Sequence, residues 1–254
     1  MKNSTWCRQA GLSMIELLIA LAISSLLILG ITQIYIDNKS NYLFQQSQSD
    51  NTENARYTLL VLEEELRRVG YRIRPDDEFE NAFRGQSVGN CSFNNGEVIN
   101  YNRTAQRLCI RYQPYIPDLT ACDGIARAAP PEPYNVGNAA NIVVELDFFS
   151  EQLRCNGQPV FDDLVDFEME FGVSTNGSRE ANLYTNNPAA NQAIQSVRYA
   201  ALIRSRFDNV ADTNQSQAYE DWFATRRALA DQTAPDRALY LMTESTINLR
   251  NLTR

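Results

Sequence analysis

The chain has 254 residues, a formal net charge of −8 and no histidine. The acidic balance argues against a nucleic-acid partner, since phosphate binding needs a basic footprint and no such cluster occurs. Without histidine, the commonest general base and transition-metal ligand is missing, and no Ser-His-Asp or Cys-His set can form.

Residues 1–11 are short and polar, with Lys2 and Arg8 as the only charges. An apolar run follows over 12–36, with Glu16 as its only charged side chain. A bilayer core needs about 20 apolar residues in a helix, so the run is long enough to span. The basic end should stay cytoplasmic, placing everything after Ile36 on the far side. A cleaved secretory signal would have a shorter core followed by a small-x-small site. A plain anchor fits the length but leaves Glu16 unexplained. A carboxylate at mid-membrane costs roughly 2.5–3.5 kcal/mol, and less near the end of a span. Such a residue should have a partner. A cut just before Leu12 would create an amine, and Leu12 and Glu16 stand i, i+4 on one helix face. The amine of one subunit would then meet Glu16 of a neighbour packed alongside in staggered register.

Helical spacing resumes at Ala55, Leu59, Leu62, Leu66 and Val69, one apolar stripe ending at Gly70 and Pro75. The polar stretch 42–54 between the two is expected to be solvent-exposed or partly unwound. A helix over 12–69 would be ~87 Å long at about 1.5 Å per residue, too long for a compact domain. Strands are expected over 97–101, 107–112, 142–149, 164–171, 197–207 and 239–249. Alternation is clearest in Asp166-Phe167-Glu168-Met169-Glu170-Phe171. Loops are expected over the Pro-rich 125–141 and over 175–188. Tyr219, Trp222, Phe223 and Leu229 suggest an amphipathic helix within 216–232 that caps the core. A helix followed by a run of strands points to an α+β fold with an antiparallel sheet.

Five cysteines, Cys7, Cys91, Cys109, Cys122 and Cys155, include no C-x-x-C pair, which weakens zinc and thioredoxin-like readings;. With Cys7 in a removed leader, four remain for two disulfides in an oxidising compartment. Cys91–Cys109 would bridge neighbouring strands and Cys122–Cys155 would tie the Pro-rich loop to the 153–157 turn. Cys91–Cys155 with Cys109–Cys122 is the alternative. Phosphate-binding Gly motifs are absent, and acidic pairs such as Asp76-Asp77 and Asp162-Asp163 read as solvated loop residues. The chain is not expected to be an enzyme.

The run Gly11-Leu12-Ser13-Met14-Ile15-Glu16 and its apolar continuation resemble the class III signal of type IV pilins and pseudopilins. The family places a cut after the leader's last Gly and an acid at the fifth mature position. The resemblance thus implies prepilin peptidase cleavage between Gly11 and Leu12, N-methylation of Leu12, and filament-core charge pairing by Glu16. Leu12 stands where the family usually has Phe. Glu53–Tyr57 through Leu66–Tyr71, Phe161–Gly172, 197–205 and Thr246-Ile247-Asn248-Leu249-Arg250-Asn251 resemble PilW-type minor pilins. PilW chains often carry a Cys just after the Gly-Tyr that ends the helix. Here Gly70-Tyr71 is followed by Arg72-Ile73-Arg74, so the family's disulfide pattern does not transfer. Ser174, Asn176 and Ser178 replace the aspartates some relatives carry after Gly172, so no metal is expected there.

The resemblance implies a pilin fold: a long helix, membrane-spanning in its first half, packed on an antiparallel sheet. It divides the chain into a leader (1–11), a transmembrane or filament-core helix (12–36), the periplasmic half of that helix (37–70) and a sheet domain (71–254). Implied partners are other minor pilins, the major pilin, the prepilin peptidase/methyltransferase, an inner-membrane assembly platform and a tip adhesin. Neither a cofactor nor nucleic acid is implied. The implied location is the inner membrane of a Gram-negative bacterium with the domain in the periplasm, then the pilus tip or base. The implied role is priming of pilus assembly within a minor-pilin tip complex. Two alternatives stand beside it. One is a J-type pseudopilin of type II secretion. The other is a membrane-anchored periplasmic binding or adhesion module that never polymerises.

Overall fold

A computed structural model describes residues 13–116, 119–127, 141–178, 180–189 and 192–252. The chain divides into two compact units, 1–46 and 47–254. One helix, α1 (Met14–Arg68), contributes to both.

The helix contains no proline and a single glycine, Gly30, so nothing in its sequence breaks it;. It continues through 42–54, which are helical rather than unwound. The reason lies on one face: Ser47 and Asn51 are buried there, and Asn51 Nδ2 donates to Leu239 O at 2.9 Å. The buried stripe runs Ser47, Asn51, Ala55, Thr58, Leu62, Glu65 and Leu66. It is helically spaced but far more polar than the apolar stripe expected from sequence, and Leu59 is only half-buried. Arg67 and Arg68 favour the negative end of the dipole and pair with Glu63 and Glu64 one turn back;. Gly70 ends the run with φ +70°, where any Cβ would come within 2.5 Å of Leu252 Cδ2;.

In the second unit the chain continues through α2 (Phe79–Ala82), the hairpin β1 (Gln86–Val88) and β2 (Cys91–Phe93), then β3 (Ile99–Asn102) and β4 (Arg107–Tyr112). A small pair, β5 (Leu119–Thr120) and β6 (Ala126–Arg127), precedes β7 (Ile142–Phe149), β8 (Gln152–Cys155) and β9 (Gln158–Phe161). The last elements are β10 (Leu164–Val173), β11 (Leu183–Thr185), β12 (Ile194–Arg204), α3 (Gln217–Arg226) and β13 (Tyr240–Asn248). The expected α+β class with antiparallel pairing holds, but the strands divide between two principal sheets instead of one. Their orders are β3-β4-β7-β8-β9 and β11-β10-β12-β13.

Three further differences have local causes. The expected loop 175–188 contains β11, a short strand with the sequence Leu-Tyr-Thr that extends the sheet beyond β10. The helix expected within 216–232 stops at Arg226. Ser216 Oγ accepts the Tyr219 N–H at its start, and Arg227 N and Leu229 N both return to Phe223 O at its end;. The segments 152–155 and 158–161, too short to show a period, form a hairpin on β7.

Leu62 and Leu66 of α1 and Val69 just beyond it pack into one core with side chains of both sheets, among them Tyr112, Val144, Met169, Phe171 and Tyr199. Trp222 closes a smaller cluster with Ala200 and Leu202 on the other face of β12, so the aromatic group of α3 does cap a core.

Candidate functional site

The N-terminal half of α1 has no internal use for its apolar side chains. Ile15, Leu18, Leu21, Leu27, Ile31 and Ile34 are all exposed, Leu27 at 60%. An 18-residue window here has a mean hydropathy of 2.5 with none of it buried. Among the described residues this is the one helix long and apolar enough to cross a membrane. The hydroxyls inside the run are satisfied locally. Ser25 Oγ donates to Ala22 O at 2.8 Å, and Thr32 Oγ1 donates to Ile28 O at 2.7 Å;.

Glu16 sits in the first turn of this helix. Ser13 stands at the cap position, and its carbonyl accepts the Leu17 N–H at 3.2 Å. The Glu16 carboxylate reaches back to accept the Ser13 N–H at 3.4 Å. Ser13-Met14-Ile15-Glu16 is therefore the S-x-x-E pattern of a capping box, with the reciprocal acid bond formed. The spacing is a sequence signal for this cap, beyond the membrane cost that Glu16 carries. The helix's positive end also favours a carboxylate at that turn. Gly11 and Leu12, the expected cut and methylation positions, lie outside the described residues.

The cysteines are placed by the second unit. Cys91 is joined to Cys109, tying β2 to β4, and Cys122 is joined to Cys155, tying the 119–127 segment to β8. Cys7 lies outside the described residues. In the turn after Gly172 the polar side chains bond one another. Ser174 Oγ and Ser178 N both donate to Asn176 Oδ1 at 3.0 Å.

Of the four buried carboxylates among the described residues, Glu65, Asp147, Asp166 and Glu168, two take the most donors, and sequence reasoning singled out neither. Asp166 accepts from Trp222 Nε1 at 2.7 Å, from Arg227 Nε and Nη2 at 2.7 and 2.6 Å, from Phe167 N at 2.8 Å and from Gln106 Nε2. Burial alone would raise its pKa, but the bonds from Arg227 and Trp222 outweigh it and hold the carboxyl below its usual value;. Glu65 takes the Cys122 N–H at 2.8 Å, Arg68 Nη1 at 2.8 Å and the Tyr112 hydroxyl at 3.4 Å. There burial dominates over the Arg68 charge and the carboxyl is pushed up. Burial likewise pushes the Tyr112 hydroxyl up. Both carboxylates are saturated by protein donors, so they read as internal ties and not as reactive groups.

Arg111 is a third tie. It is fully buried, forms no salt bridge among the described residues, and donates to the carbonyls of Glu97, Arg84, Phe83 and Asn94. Burial pushes it down to about 10. One guanidinium thereby gathers the 83–97 segment over β4.

The family described as Type IV Pilus-assembly protein W, PilW, matches residues 134–251. The Prokaryotic N-terminal methylation motif matches residues 6–32, a stretch that includes Gly11, Leu12 and Glu16. Among solved structures the chain is similar to a type IV-like pilin from Thermus thermophilus, with 14% identity and a TM-score of 0.45. That likeness covers 80% of this chain and 98% of the other. No curated protein matches. The two family matches bear out the resemblance read from the sequence: the chain is similar to type IV pilus minor pilins of the PilW kind.

Proposed function

We propose that this chain is a minor pilin that primes assembly of a type IV pilus as part of a tip complex. In this reading 1–11 is a leader cut between Gly11 and Leu12, and the new Leu12 amine is methylated. Residues 12–36 anchor the subunit in the inner membrane and later enter the filament core. Residues 37–70 and 71–254 form the periplasmic portion.

The observation that carries the proposal is the fully exposed apolar face of 14–36 with Glu16 in its first turn. A membrane covers such a face before assembly, and neighbouring helices cover it afterwards. The capping bond gives Glu16 a partner while the subunit is alone, which lowers the cost of keeping an acid there. On assembly the carboxylate exchanges the Ser13 N–H for the methylated amine of the subunit alongside. Both bonds are charge-assisted on the acceptor side, but the amine adds a full positive charge that the Ser13 N–H lacks, so the exchange is downhill only when the register is right. Glu16 then acts as a register check.

The test has two parts. Coexpressed with a prepilin peptidase, the chain should show an N-terminal mass that begins at methylated Leu12. An intact Met1, or a cut beyond the apolar run, would overturn the pilin reading. Glu16→Ala should leave cleavage and membrane insertion intact yet be lost from sheared pili. Unchanged incorporation would remove the register role. Lost export of secreted proteins on deletion, with pili intact, would instead favour the pseudopilin reading.

A further inference from the structure

The five-stranded sheet leaves one side of β3 unpaired, and that side borders a cleft of about 630 Å³. Residues 94–101 form one wall of the cleft, and Asn187–Ala189 with Gln192–Gln195 form the other. The orientation of the edge follows from the ladder. Arg111 N donates to Val98 O at 2.9 Å, which fixes Val98 as a bonded pair. Antiparallel pairs alternate, so Asn100 and Asn102 are bonded to Cys109 and Arg107;. The N–H and C=O of Ile99 and Tyr101 then turn away from β4, toward the cleft. Natural edge strands are usually guarded by lysine, proline or a bulge. The sequence of β3, Ile-Asn-Tyr-Asn, has no such guard, and no bulge interrupts its register.

The lining is chemically one-sided. It carries the carboxylates of Glu80 and Glu97 and no cation among the described residues. Glu97 accepts only neutral donors, Asn94 N and Asn100 Nδ2, and neither acid is ion-paired among the described residues. Pro188 and Leu252 give partly exposed apolar surface above the buried Ile99 and Phe171, beside the amides of Asn95, Asn187 and Gln192. Gln195 is only 7% exposed. Its Nε2 bonds Ser178 O, and its Oε1 has no partner among the described residues.

We propose that this cleft binds an extended, lysine- or arginine-bearing segment of a partner protein, which adds to β3 as a further strand. The free N–H and C=O groups of Ile99 and Tyr101 supply the main-chain ladder. Alternate side chains of the incoming strand meet the apolar floor and the acidic rim. The inference stands on the cleft alone and does not depend on pilus assembly.

Full-length chain in detergent micelles, panned against phage-displayed random twelve-residue peptides, tests it. Enriched peptides should carry Lys or Arg and slow amide exchange at Ile99 and Tyr101. They should also lose binding when alternate peptide nitrogens are methylated. Glu80→Lys, at an exposed position, should weaken them by about tenfold, because a like charge then faces the cation of the peptide. The proposal is overturned if nothing enriches, if bound peptides leave those two amides unchanged, or if N-methylated peptides bind equally well. Maltohexaose slowing the same exchange where peptides do not would also overturn it, in favour of a saccharide.

Discussion

At the scale of single residues, the second unit depends on polar ties more than its sequence suggests. Asp166 joins three elements, because Gln106 comes from the β3–β4 turn while Trp222 and Arg227 come from α3 and its C-cap. Removing its charge leaves Arg227 with a weakened partner in a partly buried site, and breaking such a pair costs about 3 kcal/mol. Asp166→Asn should therefore unfold at clearly lower denaturant at pH 7. Trp222 emission provides the readout, since the only other tryptophan, Trp6, lies in the proposed leader and would leave with it. The pH dependence has a fixed sign. The folded carboxyl lies below the ordinary value of 3.8, so its stabilisation is complete above that value. It is lost as pH falls through the lower folded value. The gap between wild type and Asp166→Asn should narrow as pH falls below 3.8, and a gap that widens in acid would refute the assignment;. None of this was legible in the sequence, because the partners of Asp166 stand about 60 residues away on either side. The capping box at Ser13 and Glu16, entirely local, was legible.

At the scale of elements, α1 shows how one substitution can have two meanings. Leu62 is fully buried against both sheets, whereas Leu27 is 60% exposed on an otherwise unpartnered face. Leu62→Ala should destabilise the second unit by about 2–5 kcal/mol, seen as an earlier unfolding midpoint. Leu27→Ala should leave that midpoint unchanged and alter only membrane partition or subunit packing. Equal effects on folding would mean that the two halves of the helix are not used differently. The helix was readable as a helix because its spacing repeats. Burial of Asn51 and Glu65 was not, because the groups they bond, on Leu239, Cys122 and Tyr112, are distant in sequence;. The long strands β4, β7, β10, β12 and β13 announced themselves by apolar content. The short strands β1, β2, β5, β6, β8, β9 and β11 hold too few residues to show a period;. Disulfides reinforce two of these weak segments. Cys122–Cys155 closes a 33-residue separation and also holds the Cys122 N–H on Glu65. Replacing both cysteines with serine should cost about 3–4 kcal/mol and loosen 119–127 first, which amide exchange would resolve.

At the scale of the whole molecule, the chain joins two solutions to the problem of apolar surface. Residues 47–254 bury theirs in a core of their own, whereas 14–36 leave theirs for a lipid or protein environment. The division predicts that a chain beginning at Ser47 folds without the first unit. Ser47 and Asn51 would then lie in a frayed first turn, and losing the Asn51 bond to Leu239 O should cost no more than about 1–1.5 kcal/mol;. The shortened chain should be monomeric in water, form both disulfides and show the same Trp222 emission as the full chain in detergent. The full chain should instead sediment with membranes, since a helix with a mean hydropathy of 2.5 over 18 residues has no soluble refuge;. Titration with thiol reagent separates the outcomes. Free thiols or broad, red-shifted Trp222 emission in the shortened chain would show that the upper helix is needed for folding. The membrane segment would then be a structural part of the domain and not an anchor attached to it.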